Sequence, residues 1–377
     1  MKNLTLKCVK TQPQFRDFIN LPWKLFKQDP NWIPPLRMAV KDYLNVKKNP
    51  FYQHSQLKMW NVYDNKRCVG RIAGVIDDNH NSFHHEKACF WGFFEAIEDE
   101  AVSQLLFNAV KKWGEENGMN VLRGPMNPST NHECGLQVSG FEYEPYFMMP
   151  MNPPYYAKLV DQYGFNKAKD LFAWLGTTKD NAVDERRVRI ANKKIAQKRY
   201  TFRSLNLKDF KNEVDRLFEI YNNAWEKNWG FVPMTRAEFD HMSKELKAII
   251  DPRLCVMVEV DGEPVGFSLA VPNLNQITKR IRNGRLLPFG LIKLLWFTKV
   301  KPSIDTYRII TLGVKKQYQA AGLAPILYQK TEAVMRELNA RAAELSWILE
   351  NNYAMNSAIE SLGAKCYKTY RIYEMPL

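Results

Sequence analysis

A short run of small residues, "QAAGLA" at 319–324, is the feature that most limits how this chain can fold. The apolar run "RIITLGV" precedes it and predicts a strand, and "PILYQKTEAVMRELNAR" follows with the apolar spacing of a helix. With so little side-chain bulk, the backbone N–H groups at the helix N-terminus can approach an anion. The alternative is a plain strand-to-helix connection in which small residues serve only the turn.

The chain is longer than one hydrophobic core usually organises, since it has 377 residues. A charged stretch at 177–200, "TTKDNAVDERRVRIANKKIAQKRY", contains few large apolar residues. We interpret it as a basic connector, either helical or solvated. The sequence therefore predicts one domain at 1–176 and a second at 201–377.

The net charge, the cysteines and the apolar runs limit the possible partners and the cellular compartment of the protein. A net charge of +14 favours anionic partners, such as phosphorylated cofactors, acidic lipids or nucleic acid. The six cysteines are scattered and predict free thiols in a reducing compartment. The longest apolar run, "LLPFGLIKLLWF", is shorter than the ~20 residues that span a bilayer. We expect a cytoplasmic protein, and contact with the inner face of the membrane stays open.

The two halves of the sequence follow one order of predicted elements. In the second half a strand and two helices precede a hairpin that turns at Asp261-Gly262. A strand, a helix, a strand, a short helix and a last strand follow. The first half repeats this order more faintly, with Gly118 and Gly164 where helices should end. The order predicts an α/β fold with an internal duplication.

Two motifs in the second half resemble the signatures of the GNAT acyltransferase superfamily. "QAAGLA" is similar to its acyl-CoA-binding loop, Gln/Arg-x-x-Gly-x-Gly/Ala, between a strand and a helix. "NYAMNSAIESLGA" at 352–364 is similar to its second signature, an Asn followed by a short helix that ends in a Leu-Gly-Phe type turn. This chain has Ala364 in place of the aromatic residue. The close resemblance covers about 200–377, and for 1–176 it depends on element order and weak motifs. It implies two tandem GNAT-like domains, the first degenerate, each a mixed and mostly antiparallel sheet flanked by helices.

The resemblance also implies a mechanism. Acyl-CoA would lie where the strands "RIITLGV" and "AELSWILEN" part, and an acceptor amine would attack the thioester directly, without an acyl-enzyme. Strand backbone would bind the pantetheine arm, and the N–H groups of the loop would bind the pyrophosphate. No metal is expected. The implied cofactor-binding residues are Leu312, Gly313, Val314, Gln319, Ala320, Ala321, Gly322, Leu323, Ala324 and Asn352.

The sequence departs from the family at the position of the general acid. Many relatives carry a Tyr there, where this chain has Ile359, and Tyr353, Tyr328 or water are the candidates to replace it. Glu350 is the candidate general base, and Asn356 the candidate that orients the acceptor. The alternative for Glu350 is a solvated residue at a strand end. The predicted catalytic residues are therefore Glu350, Tyr353 and Asn356.

The first half lacks a comparable phosphate loop. Glu98, Asp99 and Glu100 stand at the corresponding position and would repel a pyrophosphate, so we expect no CoA to bind there in the usual way. The polar loop at 123–141, "RGPMNPSTNHECGLQVSGF", is either a functional surface or a network of turns. The cluster "HNSFHH" at 80–85 has no partner set for a metal and predicts an exposed polar loop.

An insertion at 273–302 combines apolar and basic residues and contains no acidic one. Such a segment is typical of an interfacial element on an anionic membrane surface. The alternative is a helical hairpin that packs on the other domain. In the GNAT fold this connection borders the acceptor site, and the layout is similar to bacterial GNAT-like proteins associated with sphingolipid N-acylation. Its basic residues are Lys279, Arg280, Arg282, Arg285, Lys293, Lys299 and Lys301.

Four functions therefore remain to be distinguished. The first is an acyl-CoA-dependent N-acyltransferase whose amine acceptor is lipid-like, and the second an acetyltransferase for a small amine or a peptide. The third is a GNAT-derived module that binds CoA without catalysis, as Ile359 would allow. The fourth, a nucleic-acid binder, is suggested by charge alone and has no recognisable module, so we expect no nucleic-acid partner.

Overall fold

The computed structural model describes residues 3–177, 200–226, 228–300 and 302–377. Apart from its two end residues, the predicted connector at 177–200 lies outside this described part. The chain forms two compact units, Met1–Leu171 with Asn275–Pro302 and Lys368–Leu377, and Phe172–Leu274 with Ser303–Tyr367. The units differ from the predicted domains in three places. Residues 172–176 group with the second unit, whereas Asn275–Pro302 and Lys368–Leu377 group with the first.

The secondary-structure elements follow the order that the sequence predicts. The strands are β1 (Leu4–Cys8), β2 (Ser55–Asp64), β3 (Arg67–Asp77), β4 (Ala88–Ala96), β5 (Val121–Gly124), β6 (Met126–Asn127), β7 (Glu133–Cys134), β8 (Leu136–Ser139), β9 (Asn166–Thr177), β10 (Tyr200–Ser204), β11 (Cys255–Val260), β12 (Glu263–Pro272), β13 (Thr306–Val314), β14 (Ala342–Leu349) and β15 (Lys365–Pro376). The helices are α1 (Gln12–Leu25), α2 (Arg37–Tyr43), α3 (Asp78–His84), α4 (Glu100–Glu116), α5 (Tyr155–Tyr163), α6 (Phe210–Ala224), α7 (Arg236–Lys247), α8 (Asn275–Thr278), α9 (Phe289–Leu295), α10 (Leu323–Glu337) and α11 (Tyr353–Ser361).

The first unit is built on a mostly antiparallel sheet. Its strands lie in the order β1-β2-β3-β4-β5-β15, and β4 and β5 form the parallel pair in this path. Helix α4 packs against β3 through apolar side chains, and the core is rich in large aromatic rings, among them Trp91, Phe107 and Tyr156. These rings bury large apolar areas and stabilise the unit.

The second unit repeats this plan. Strands β10-β11-β12-β13-β14 are adjacent in that order, and β13 and β14 are the parallel pair. The predicted hairpin turn is present, with Asp261 and Gly262 at φ 51° and 84° between β11 and β12. In both units a hairpin, a strand, a helix, a parallel strand and a short helix succeed one another. The predicted fold class, mixed mostly antiparallel sheets flanked by helices, is confirmed.

Helix ends in both units follow the predicted local chemistry. Thr235 and Glu238 form a capping box at α7, with Glu238 Oε2 accepting from Thr235 N at 2.8 Å. Gly164 ends α5 with φ 104°, and Gly118 follows α4 with φ 72°. A positive φ favours glycine at these positions because it has no Cβ.

The insertion packs with the N-terminal half and leaves an apolar outer face. Ile277 and Ile281 are buried, and Arg37 N donates to Gly284 O at 2.8 Å. Six other large apolar residues expose between 50% and 73% of their surface. These exposed residues are Leu287, Phe289, Ile292, Leu295, Trp296 and Val300. The segment thus has features of both alternatives, a packed inner side and an exposed apolar side.

The prediction of an exposed polar loop around the histidines was wrong for His80. Residues Asp78–His84 form α3, and His80 is buried with Nε2 2.5 Å from Glu86 Oε1. Arg123 also donates to Glu86, at 2.7 Å and 3.1 Å. Burial raises the pKa of Glu86, but these hydrogen bonds outweigh it and lower the pKa to about 2. Among the described residues, no group of three or more His, Cys, Asp or Glu could hold a metal ion.

The polar loop at 123–141 contains a hydrogen-bonded turn network, as its structural alternative predicts. The short strands β6 and β7 pair with each other, and Ser129 Oγ lies 2.8 Å from His132 Nδ1 at their turn. Asn127 Oδ1 accepts from Phe93 N at 2.6 Å. A functional role of this loop stays a prediction. In the part of the chain that is described, no helix has both the length and the hydrophobicity to cross a bilayer.

Candidate active site

Strands β13 and β14 pair only at their beginnings, and this creates the predicted gap. The parallel ladder runs from Thr306 and Ala342 to Ile309 and Leu345, and within the described residues it extends no further. Strand β13 stays paired with β12 up to Val314, with a bulge opposite Leu269 and Ala270. Residues 310–314 therefore have one edge against β12, and no strand of the described residues pairs with their other edge.

The open edge of β13 presents the backbone of Leu312 and Val314. Lys315 N donates to Val265 O on β12 at 2.8 Å. Because hydrogen-bonding groups alternate between the two edges of a strand, the backbone of Gly313 also faces β12, whereas that of Leu312 and Val314 faces the gap. An extended ligand arm can thus form backbone hydrogen bonds with Leu312 and Val314, as the family resemblance implies.

Gly313 has a different role from its neighbours in the strand. A Cβ at Gly313 would lie 2.3 Å from Cη2 of Trp225, the residue that ends α6. Only glycine allows the indole ring to lie against the strand at this point. Gly313 therefore shapes the strand for Trp225, and its own backbone points away from the gap.

The loop after β13 is more ordered than a bare turn. Residues Lys316–Ala321 form a 3₁₀ helix, Gly322 follows with φ 73° and ψ 29°, and α10 begins at Leu323. The sequence pattern predicts a helix start at Ala324, one residue later than the structure shows. Leu323 is buried and anchors the helix, whereas Ala320 and Gly322 are exposed.

The N-terminus of α10 is open to an anion. No side chain of the described residues caps this helix, and its first turn contains no acidic residue. A Cβ at Gly322 would meet nothing within 4 Å, so space is free above the first turn. The first N–H groups of a helix have no intrahelical acceptor and carry partial positive charge. This end of α10 fits a pyrophosphate.

Neighbouring lysines hold the loop in place through carboxylates. Lys315 is buried, and its Nζ lies 2.6 Å from Glu219 and 3.0 Å from Glu263. Burial lowers the pKa of Lys315, but these two hydrogen bonds raise it above its usual value. Lys316 pairs with Glu226, and Gln319 Nε2 donates to Val314 O at 3.2 Å. Both lysines are thus paired with carboxylates, and the backbone N–H groups at the start of α10 offer positive potential to a ligand.

Helix α11 begins beside the end of β14 and contains most of the second motif. Asn352 caps the helix by accepting from Met355 N at 3.3 Å. Asn356 Nδ2 donates to Leu349 O at 3.0 Å, and its Oδ1 accepts from Trp174 Nε1 at 3.0 Å. Asn356 thus ties α11 to β14, and its expected role in orienting an acceptor stays a prediction.

The two predicted proton-transfer residues lie at the end of β14 and the start of α11. Glu350 follows β14 in a turn and is half-buried, which suits a base that meets a substrate. Tyr353 is 75% exposed on the first turn of α11. Their catalytic roles stay predictions.

Ile359 is fully buried, so the departure from the family is a packing feature. It lines a pocket together with Tyr328, the other tyrosine that the sequence offers as a substitute acid. Burial raises the pKa of the Tyr328 hydroxyl well above its usual value, and this phenol keeps its proton near neutral pH. Tyr328 therefore shares this pocket with Ile359, whereas Tyr353 faces solvent, and the role of either tyrosine as the acid stays a prediction.

Sequence analysis missed a buried polar cluster next to the gap. Arg308 Nε lies 2.8 Å from Ser346 Oγ and 3.4 Å from Glu344 Oε1, and Ser346 Oγ donates to Glu344 at 2.6 Å. Tyr367 also donates to Glu344. Ile309 and Leu345 belong to the apolar core cluster to which α10 and α11 contribute. Because side chains alternate between the two faces of a strand, the polar cluster lies on the opposite face of the sheet. The available signal was a single charged residue within each of two largely apolar strands, Arg308 in β13 and Glu344 in β14.

In the first unit, side chains occupy the positions that correspond to the open edge of β13 and the start of α10. Asp99 caps α4 by accepting from Ala101 N at 3.0 Å, and so places a carboxylate where a pyrophosphate would bind. Ala96 at the end of β4 donates through N to the Tyr156 hydroxyl at 2.9 Å and accepts at O from Tyr155 at 2.8 Å. These contacts agree with the prediction that this half does not bind CoA in the usual way, which stays untested by a ligand.

Comparisons with known proteins agree with this geometry. The family model described as "Acetyltransferase (GNAT) family" matches residues 214–364. The chain is 37% identical over 382 residues to the "Bacterial ceramide synthase" of Caulobacter vibrioides, covering 100% of this chain and 98% of that protein. It is 36% identical over 361 residues to "Protein YghO" of Escherichia coli, covering 95% and 91%.

A solved structure shares the whole fold. The tandem GNAT protein from the clavulanic acid biosynthesis pathway superimposes with a TM-score of 0.59, covering 99% of this chain and 98% of that one at 12% identity. At this identity the likeness shows the fold alone, and that fold is the predicted tandem arrangement. The chain therefore belongs to the GNAT family of acetyltransferases and is a transferase enzyme.

Proposed function

We propose that this protein transfers an acyl group from acyl-CoA to the amine of a lipid-like acceptor. The observation that carries the proposal is the open edge of β13 next to the uncapped N-terminus of α10. The open strand edge comes directly before the helix N-terminus, so a pantetheine arm could lie along the edge with its pyrophosphate at the helix. GNAT enzymes use acyl-CoA as the acyl donor, and acyl-CoA is therefore a substrate of the reaction and not a bound cofactor.

The chemistry follows from this placement. The amine nitrogen attacks the thioester carbonyl, the C–S bond breaks, and the acyl group leaves CoA as an amide. The amine loses a proton, for which Glu350 is the proposed base, and the departing thiolate gains one, for which Tyr328 is the proposed acid. The reaction involves no covalent enzyme intermediate. Orientation of the two substrates supplies much of the rate enhancement.

Two observations support a lipid-like amine as the acceptor. One relative across the full length is named a bacterial ceramide synthase, and a ceramide is the amide of a long-chain amine. The insertion offers exposed apolar side chains, including Phe289 and Trp296, that suit an acceptor delivered from a lipid surface.

The same segment supports contact with an anionic membrane surface. Arg282, Arg285 and Lys293 are exposed beside its apolar residues, and the segment contains no acidic residue. Apolar side chains enter the interfacial region of a bilayer, while cations bind the headgroups, each contributing about 1 kcal/mol. This pattern favours peripheral binding to acidic lipids.

We expect the double change Lys293→Glu and Trp296→Ser to weaken binding to anionic vesicles about tenfold or more, since it reverses one charge and removes one apolar anchor. Sedimentation with phosphatidylglycerol-containing liposomes measures this. Lys112→Glu, which changes an exposed lysine of α4, is the matched control and should leave binding nearly unchanged. Equal binding of the double variant and the control would contradict the membrane proposal.

Release of free CoA thiol with a panel of donors and amines tests the proposed reaction. We expect turnover with long-chain amino alcohols and little with small amines or peptide N-termini. Turnover restricted to small amines or peptides would favour an acetyltransferase of the ordinary kind. CoA binding without turnover on the whole panel would favour a binding module that has lost catalysis.

A further inference from the structure

A pocket in the second unit lies on the side of the sheet that α10 and α11 cover. The space between atoms within it is about 520 Å³, and this volume includes open solvent. Its walls are mostly apolar and contain several small residues, among them Ala340, Ala342 and Ala364. Apart from the hydroxyl of Tyr328, the proposed acyl transfer, as described so far, makes no use of this space.

The pocket reaches the apex of the gap between the strands. Ile309 and Leu345 line it, and they form the last recorded pair of the β13–β14 ladder. A thioester held along the open edge of β13 would end near this apex. A chain attached to its carbonyl could therefore continue from the gap into the pocket.

Both sequence departures from the GNAT pattern line this same pocket. Ile359 replaces a tyrosine and Ala364 replaces an aromatic residue, and both side chains are buried in its wall. The first change removes a hydroxyl, and the second removes the volume of a ring. Together they make the space less polar and larger, which is what an aliphatic ligand needs.

Two lining residues carry polar side-chain groups, the hydroxyl of Tyr328 and the carboxylate of Glu332. Glu332 is partly exposed, and Arg336 Nη2 lies 2.7 Å from its Oε1. A charged ion pair of this kind suits the solvent side of a pocket, and the apolar residues suit its interior. The lining therefore offers no group that would bind a charged ligand in its depth.

We propose that this pocket binds the aliphatic chain of a medium- or long-chain acyl-CoA donor. The inference depends on the proposed acyl transfer and specifies its donor class. Burial of each methylene raises affinity about fourfold, so a chain in this pocket would raise the affinity of acyl-CoA above that of CoA.

Ala364→Phe tests the proposal, because it restores the aromatic residue of the family and fills the pocket. We expect it to weaken binding of palmitoyl-CoA about tenfold or more, with the affinity for CoA and acetyl-CoA unchanged. Calorimetry below the critical micelle concentration measures the three affinities. Ala333→Phe, on the exposed side of α10, is the matched control and should change none of them.

The outcomes separate this inference from the proposed function. Equal affinity of wild type and Ala364→Phe for palmitoyl-CoA would overturn the inference, even where CoA binds normally. Absence of CoA binding in the wild type would overturn the proposed function itself. Ala340→Leu fills the pocket less severely and gives the same comparison if Ala364→Phe does not fold, which the melting temperature reveals.

Discussion

Gly322→Glu is expected to reduce CoA affinity by ~100-fold or more, because it places a carboxylate where the pyrophosphate binds. A Cβ at Gly322 meets no atom within 4 Å, so the new side chain fits sterically. The positive φ of 73° costs a non-glycine residue roughly 1–2 kcal/mol, which a folded domain tolerates. Calorimetric titration with CoA and a thermal melt of the same sample measure both effects.

Gly262→Glu is the matched control for this change. Gly262 also has a positive φ, 84°, and open space around its Cβ, but it lies in the β11–β12 turn. We expect a similar loss of stability and full retention of CoA binding. If Gly322→Glu binds CoA as tightly as Gly262→Glu, the start of α10 is not the pyrophosphate site.

Glu344→Ala is expected to lower the free energy of unfolding by about 3–5 kcal/mol, because it leaves the guanidinium of Arg308 buried without its carboxylate. Glu344 is fully buried and Arg308 nearly so. Chemical denaturation followed by circular dichroism measures the change. The exposed pair of Arg341 and Asp305 serves as the control, and Asp305→Ala should cost less than about 1 kcal/mol.

The double variant Arg308→Met with Glu344→Leu tests the physical reason. Removing both charges avoids an unpaired buried ion, so we expect much of the lost stability to return. If the double variant is no more stable than Glu344→Ala, the loss does not come from the buried charge. CoA binding that stays normal in the double variant would limit the cluster to a structural role.

The sequence was most informative where a short segment determines its own conformation. The Asp261-Gly262 turn needs two positive φ values, and the Thr235–Glu238 capping box uses residues three positions apart. The strand, small loop and helix around Gly322 are also local, so their order could be predicted. Long-range contacts decided the rest, including the burial of His80 against Glu86.

The sequence by itself determined the duplicated order of elements, the helix ends, and the small-residue loop at 319–324 before α10. Each of these depends on residues close together in the chain. Only the tertiary structure decided where β13 and β14 part, that Trp225 lies against Gly313, and that Arg308 pairs with Glu344. It also brought Ile359 and Ala364 into one pocket with β13. Side-chain packing between distant segments produces these features, and no local pattern records which segments will meet.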